Sequence, residues 1–235
     1  MFFKRHELKY YLNDVQVDGL SRSLGAVIGG DEHGDEQGCY LVRSLYFDSV
    51  DDECLYEKQS GVLRRQKVRL RTYGTTNDSV YKFEIKHKHG QLVYKESCEV
   101  DRELARRVVA GEHRELLHIG SPVADRIYGI FSTRMYRPKV IVEYLRQAFV
   151  FPVSNIRITF DQNLKSSVNN LDIFSGVHGL MPVILEQKQI LEVKFDEFLP
   201  GFISKVLSAA NLERSAISKY TLARRFYKHR KWEDN

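Results

Sequence analysis

The chain holds only three cysteines in 235 residues. Cys39, Cys54 and Cys98 are odd in number and lack Cys-x-x-Cys spacing, which argues against a disulfide framework and a zinc site and suits free thiols in a reducing cytoplasm. No run approaches the roughly 18 apolar residues of a membrane-crossing helix. Lys4, Arg5 and Glu7 interrupt the start, where a signal peptide would carry its apolar core, so neither secretion nor membrane insertion is expected. Neither a Walker A motif nor a GxGxxG occurs, which argues against the common nucleotide-binding folds. Internal repeats and low-complexity tracts are missing as well.

What is present is an ordinary globular composition, 43% hydrophobic and 29% charged, long enough for one sizeable core, so residues 1–235 are expected to form a single domain. Lys and Arg number 36 against 31 Asp and Glu, a net charge of +5. That excess suits an anionic partner, but its placement decides more than its sum.

Period-two patterning predicts strands over Phe2–Leu12, Leu41–Phe47, Val62–Tyr73, Val80–His87, Gln91–Val100, Lys139–Val150, Asn155–Leu164 and Pro182–Phe195, about eight in all. Turns are expected at Gly74–Asp78 and His89-Gly90, and a polar loop over Gly29–Gly38. Asn13-Asp14 reads as the cap of an amphipathic helix carrying Val17, Leu20, Leu24 and Val27. Further helices are expected over Asp101–Gly111, Leu116–Tyr136, Leu199–Leu207 and Arg214–Lys231.

Splitting the strands by parity gathers their charges. Arg5, Glu7 and Lys9 share one face; so do Lys67, Arg69 and Arg71; so do Lys82, Glu84, Lys86 and Lys88. Arg157, Thr159 and Asp161 oppose Ile156, Ile158 and Phe160, and Glu186, Lys188, Glu192 and Lys194 oppose Leu185, Leu191 and Val193. One such strand is any sheet with a wet face. Several at once, rich in Lys and Arg, need an anion to offset their repulsion. The expected fold is therefore α+β: a closed antiparallel β-barrel of about eight strands, its charged face turned inward as a triphosphate tunnel, with helices packed outside. Arginine forks and mobile lysines can grip successive phosphates, and interspersed carboxylates can hold Mg²⁺ or Mn²⁺.

These segments also resemble a known family. Arg5-His-Glu-Leu-Lys-Tyr10, Arg43-Ser-Leu-Tyr-Phe-Asp48, Lys67-Val-Arg-Leu-Arg-Thr-Tyr-Gly74, Phe83-Glu-Ile-Lys86, Tyr144-Leu-Arg146, Arg157-Ile-Thr-Phe-Asp161, Leu191-Glu-Val-Lys194 and Ser218-Lys-Tyr220 are similar, in order and spacing, to the VTC domain of polyphosphate polymerases, within the triphosphate tunnel metalloenzyme (CYTH-like) superfamily. The resemblance implies a closed tunnel, ATP as phosphoryl donor, and growth of an inorganic polyphosphate chain. It implies phosphate-binding roles for Lys9, Arg69, Arg71, Lys86, Lys95, Arg146, Arg157 and Lys219, and a metal-ligand role for Glu192. The chain departs from the eukaryotic polymerases at Ala216, where a second basic residue is usual. Arg5 stands in place of the first acid of the superfamily's Glu-x-Glu-x-Lys, which favours the polymerase branch over the cyclases and phosphohydrolases.

Phosphoryl transfer needs positioning and charge neutralisation more than a protein nucleophile. Glu7 and Glu84 are further metal candidates, with ion pairing to neighbouring Lys and Arg as the alternative. Lys67 and Lys194 join the substrate-binding set, and for Lys194, as for Lys82, Lys88 and Lys188, structural ion pairing is the competing reading. His6, His87 and His89 read as surface or turn histidines, and Arg224–Lys231 as a solvated helix face. Expected partners are ATP and inorganic polyphosphate or triphosphate, with Mn²⁺ or Mg²⁺ as cofactor and no nucleic acid. The competing functions are hydrolysis of tripolyphosphate or another triphosphate by the same fold, and non-catalytic polyphosphate binding.

Overall fold

A computed structural model describes residues 5–74, 80–90, 92–176, 179–184 and 188–233. Phe2–Lys4 of the first expected strand, residues 75–78 of the expected turn, Gln91, and Leu185 and Glu186 of the last expected strand lie outside the described residues.

Along the chain run β1 (His6–Leu12), α1 (Asp14–Gly25), β2 (Gly29–Gly30), β3 (Cys39–Asp48), α2 (Glu53–Gln59), β4 (Arg64–Tyr73), β5 (Tyr81–His89), β6 (Leu92–Val100), α3 (Arg102–Val109), α4 (Pro122–Arg134), β7 (Arg137–Phe151), β8 (Ile156–Ser167), β9 (Met181–Pro182), β10 (Gln189–Phe195), α5 (Gly201–Ser208) and α6 (Lys219–Glu233). Short 3-10 helices occupy His113–Ile119 and Val153–Asn155.

The strands form one antiparallel 10-stranded sheet in the order β1-β10-β8-β7-β3-β4-β5-β6, with β2 on β7 and β9 on β8. This corrects the expected closed barrel of about eight strands. The order has two ends, β1 beside β10 and β6 beside β5, and closure would require the ends to pair. Residue parity reports which face a side chain takes and is silent on whether the outermost strands meet, so the charged faces were legible and the closure drawn from them was not.

The chain divides into two compact units. One comprises Met1–Leu41, Tyr144–Leu164 and Pro182–Ser218. Its helix α1 starts on a capping box: Asn13 Oδ1 accepts from Gln16 N at 2.8 Å, and Gln16 Oε1 accepts from Asn13 N at 3.0 Å. Val17, Leu20 and Leu24 on one side of α1 pack into a core with Ile156, Ile158 and Phe160 of β8, Leu191 and Val193 of β10, and Ile203 and Leu207 of α5. Removing each large side chain from water contributes about 1.5–3 kcal/mol, which fixes the parity of β8 and β10 and sends Arg157, Thr159, Glu192 and Lys194 to the other face. The expected helix from Arg214 does not form there. Arg214 bridges Tyr10, and Ser215 N donates to Lys9 O at 2.9 Å, so this segment runs extended beside β1.

The other unit comprises Val42–Glu143, Lys165–Met181 and Lys219–Asn235. Leu45 and Phe47 of β3, Val68 and Leu70 of β4, and Phe83 and Ile85 of β5 are fully buried, and Phe131 of α4 closes over them with its ring 4.9 Å from that of Phe47. The expected helix Leu116–Tyr136 is two elements. Gly120 takes φ 67°, a left-handed conformation that glycine alone adopts at no steric cost, and Pro122 then opens α4 at its first turn. Helix α2 has no counterpart among the expected elements. It is held by Asp48, whose carboxylate accepts from the backbone N–H groups of Ser49 and Cys54 at 2.8 Å each and of Leu55 at 3.2 Å. Of the expected strand Pro182–Phe195, the described residues place Pro182 in β9 and Gln189–Phe195 in β10.

Candidate functional site

In the first unit, three adjacent strands carry two cross-strand rows: Glu7, Lys194 and Arg157, and Lys9, Glu192 and Thr159. Lys9 Nζ lies 2.8 Å from Glu7 Oε1 and 3.8 Å from Glu192 Oε1, and donates to Ile217 O at 3.3 Å. Lys194 Nζ is 3.1 Å from the same Glu192 oxygen. Behind them Arg146 donates Nε to Asp161 Oδ1 at 2.6 Å and NH2 to Oδ2 at 2.8 Å, and NH2 also reaches Tyr144 Oη at 3.3 Å. The other oxygen of Glu192 is 3.9 Å from Arg146. Arg157 pairs with Asp31 and donates to Tyr40 Oη at 2.8 Å.

Burial favours a neutral amine at Lys9, but the carboxylates of Glu192, Glu7 and Asp161 outweigh it and hold the ammonium above its ordinary value. Arg146 is likewise disfavoured by burial and held charged by Asp161, Tyr144 and Glu192. This side of the sheet is therefore ionic although nearly dry: Glu192 is 4% exposed, Arg146 6% and Asp161 0%.

In the second unit the balance of sign is different. Lys67, Lys86 and Lys95 lie directly opposite one another across β4, β5 and β6, a row of three like charges. Like charges in direct register destabilise a sheet. Beside them runs the row Tyr46, Arg69, Glu84 and Ser97, and beyond that Ser44, Arg71, Lys82 and Glu99. Glu84 Oε2 takes both Nε and NH2 of Arg69 at 2.6 Å each, its Oε1 takes Lys95 Nζ at 2.7 Å, and Arg71 stands 3.9 Å away. Burial works to raise the Glu84 carboxyl, yet Arg69, Arg71 and Lys95 hold it far below the usual carboxylate range. Lys67 Nζ sits 5.0 Å from the centre of the Tyr220 ring. Tyr220 donates to Asp48, and one residue before it Lys219, 9% exposed, opens α6.

The expected site residues thus fall into two groups. Lys9, Arg146, Arg157, Lys194, Glu7 and Glu192 cluster in the first unit; Lys67, Arg69, Arg71, Lys86, Lys95, Glu84 and Lys219 belong to the second. The oxygens of Glu7 and Glu192 fit a hard divalent cation, since both carboxylates converge on one ammonium, a place a cation already fills, and Mg²⁺ or Mn²⁺ binds phosphates through one or two carboxylates. Among the described residues no group of three or more His, Cys, Asp or Glu could hold a metal, so a bound cation would draw its remaining ligands from phosphate and water. Glu84 is ion-paired on both oxygens, to Arg69 and to Lys95. His6 stacks on Phe195 with 4.9 Å between ring centres, and His87 on Tyr94 with 4.3 Å.

Parity carried further would have found more. Asp161, noted only as a charged-face residue, is the bidentate partner of Arg146, and Ser44 and Tyr46 lie on the cationic face through the same alternation in β3. Asp31 had no readable signal, being an acid in a polar loop that folds back onto Arg157.

The sequence matches the family described as VTC domain over residues 4–227. Comparison with curated proteins finds no match. Among solved structures, HpAC1 of Hippeastrum, described as a candidate adenylyl cyclase with a dominant triphosphatase activity, is 14% identical with a TM-score of 0.58, the alignment covering 95% of each chain. A Bacillus halodurans protein described as a candidate adenylate cyclase is 14% identical with a TM-score of 0.51, over 92% of this chain and 95% of that one. At such identities the likeness is one of fold. Among the described residues no helix is long and apolar enough to cross a membrane.

Proposed function

Because the chain belongs to the VTC-domain family, we propose that it is a polyphosphate polymerase that transfers the γ-phosphate of ATP onto an inorganic polyphosphate chain with the help of Mn²⁺ or Mg²⁺. Family membership supports an enzyme acting on polyphosphate or triphosphate; the transfer itself is our reading of the two clusters. The observation that carries it is the row Lys67, Lys86 and Lys95, flanked by Arg69 and Arg71. A cationic row of this kind suits a polyanion.

In this reading Lys9, Arg146 and Arg157 in the first unit, and Arg69, Arg71, Lys86, Lys95 and Lys219 with Lys67 in the second, bind phosphate oxygens, and Lys194 balances Glu192. Glu192, with Glu7 beside it, would hold the metal. When bound, a divalent cation neutralises phosphate charge and makes the γ-phosphorus more electrophilic. Glu84 fixes the planes of Arg69 and the position of Lys95, so that these donors need little rearrangement when charge develops on the phosphoryl group. An oxygen of the terminal phosphate of the growing chain attacks the γ-phosphorus in line, the bond to the bridging oxygen of ADP breaks, and no protein nucleophile is used. We treat residues 1–235 as one functional domain, and its buried, unlinked cysteines support a cytoplasmic setting.

The alternative is hydrolysis, in which water replaces the chain terminus; the triphosphatase activity of the Hippeastrum protein of like fold is the reason to test it. Incubation with ATP and Mn²⁺ or Mg²⁺, following ADP, free phosphate and polymer together, separates the two. Polymer with matching ADP, lost in Glu192→Gln and Arg69→Ala, is expected. Free phosphate without polymer would establish the hydrolase, and polyphosphate binding without turnover a binding module.

A further inference from the structure

Two hydroxyls on β3 share a sheet face with the arginines of β4. Tyr46 stands opposite Arg69 and Ser44 opposite Arg71. Arg69 NH1 donates to Tyr46 Oη at 3.1 Å, and Arg71 Nε donates to Ser44 Oγ at 3.1 Å. A hydroxyl that accepts in this way still has its own proton to give. Among the described residues nothing accepts either proton, although Ser44 is 0% exposed and Tyr46 6%. A buried donor without an acceptor is unfavourable, so the arrangement suits an incoming acceptor.

We propose that Tyr46 and Ser44 are further substrate-contacting residues, each donating its hydroxyl proton to an oxygen of the phosphate held by Arg69 and Arg71. The inference rests on the polyphosphate or triphosphate reading above. The surroundings reinforce it. Burial works to raise the Tyr46 phenol, but Arg69, Arg71 and Lys219 outweigh it and leave the group below its ordinary value, which makes it a stronger donor in a positive field. The ring is held from one side by Tyr220, 5.3 Å away between centres, which is itself anchored by its hydrogen bond to Asp48. The chemistry selected is a multiply charged oxyanion with oxygens to spare beyond those paired to guanidinium groups, and inorganic tripolyphosphate meets it.

The test is calorimetric titration of the full chain with inorganic tripolyphosphate at several salt concentrations, comparing wild type with Tyr46→Phe, Ser44→Ala and Arg69→Ala. Tyr46→Phe is expected to bind about tenfold more weakly and Ser44→Ala several-fold more weakly. Because neither substitution removes a charge, both should keep the wild-type dependence of affinity on salt, whereas Arg69→Ala should flatten it. Wild-type affinity in both hydroxyl variants would overturn the inference. A loss accompanied by a flattened salt dependence would also overturn it, by showing that the hydroxyls serve only to steer the arginines. A wild type that binds no tripolyphosphate would sink the functional reading itself and the inference with it. Tyr46→Phe keeps its ring against Tyr220, and should its thermal midpoint nevertheless collapse, Ser44→Ala decides alone.

Discussion

Arg146 holds Asp161 through two parallel hydrogen bonds, Nε to Oδ1 at 2.6 Å and NH2 to Oδ2 at 2.8 Å, with the carboxylate wholly out of water. The pair locks the guanidinium plane. Asp161→Asn keeps the shape but strands a buried cation beside a neutral amide. It is expected to lower stability by about 3 kcal/mol, read as a fall in the urea midpoint at neutral pH. A change within error would mean that the pair is not what holds Arg146.

Acid should reveal Glu84. Its carboxyl is held well below the ordinary range by Arg69, Arg71 and Lys95, against the effect of burial. A depressed folded value means that its contribution is whole above the unfolded value, about pH 4.3, and is lost as the pH falls from there through the folded value. Glu84→Gln should therefore be less stable than wild type at pH 7, and the two proteins should converge as urea midpoints are followed toward pH 2. A constant gap across that range would contradict the linkage.

Arg69→Lys separates charge from geometry. A lysine keeps the positive charge but cannot present two donors to Glu84 Oε2 and a third to Tyr46 at once. Its activity with ATP and Mn²⁺ should resemble that of Arg69→Ala more than that of wild type, both lower by roughly a hundredfold. Near-normal turnover would show that a point charge suffices at this position.

Asp48 ties α2 and α6 to the end of β3. It accepts the backbone N–H of Ser49 beside it, those of Cys54 and Leu55 in the first turn of α2, and the hydroxyl of Tyr220. Tyr220→Phe removes one bond and should cost about 1 kcal/mol, whereas Asp48→Ala leaves all four donors without their acceptor and should cost at least 3 kcal/mol. Thermal denaturation of both variants reads the difference, and equal losses would rule out the shared anchor.

The sequence conveyed the faces better than the closure. Lys67, Arg69 and Arg71, like Arg157, Thr159 and Asp161, alternate with buried apolar residues, and burial enforces that alternation wherever a strand forms. What alternation does not carry is register between strands. That Lys86 lies opposite both Lys67 and Lys95 depends on how the β4–β5 and β5–β6 turns align their strands. The break between the 3-10 helix and α4 was readable at Gly120 and Pro122, but an apolar pattern continuing across it suggested one helix. Helix α2 was hidden for another reason: seven residues are too few for a convincing period, and the carboxylate that holds it, Asp48, belongs to the preceding strand. The open sheet could not be read at all, since pairing between β1 and β10 joins segments nearly two hundred residues apart.

The row Lys67, Lys86 and Lys95 also sets a direction. Neighbouring strands lie about 4.8 Å apart, so the backbone positions of these lysines step across the sheet like rungs while each strand runs at right angles to them. A linear anion lying along the rungs would be read crosswise, one strand at a time. Recognition of that kind responds to the spacing of charge and is indifferent to what lies at either end of the anion, so a longer chain would meet the row in the same way as a short one.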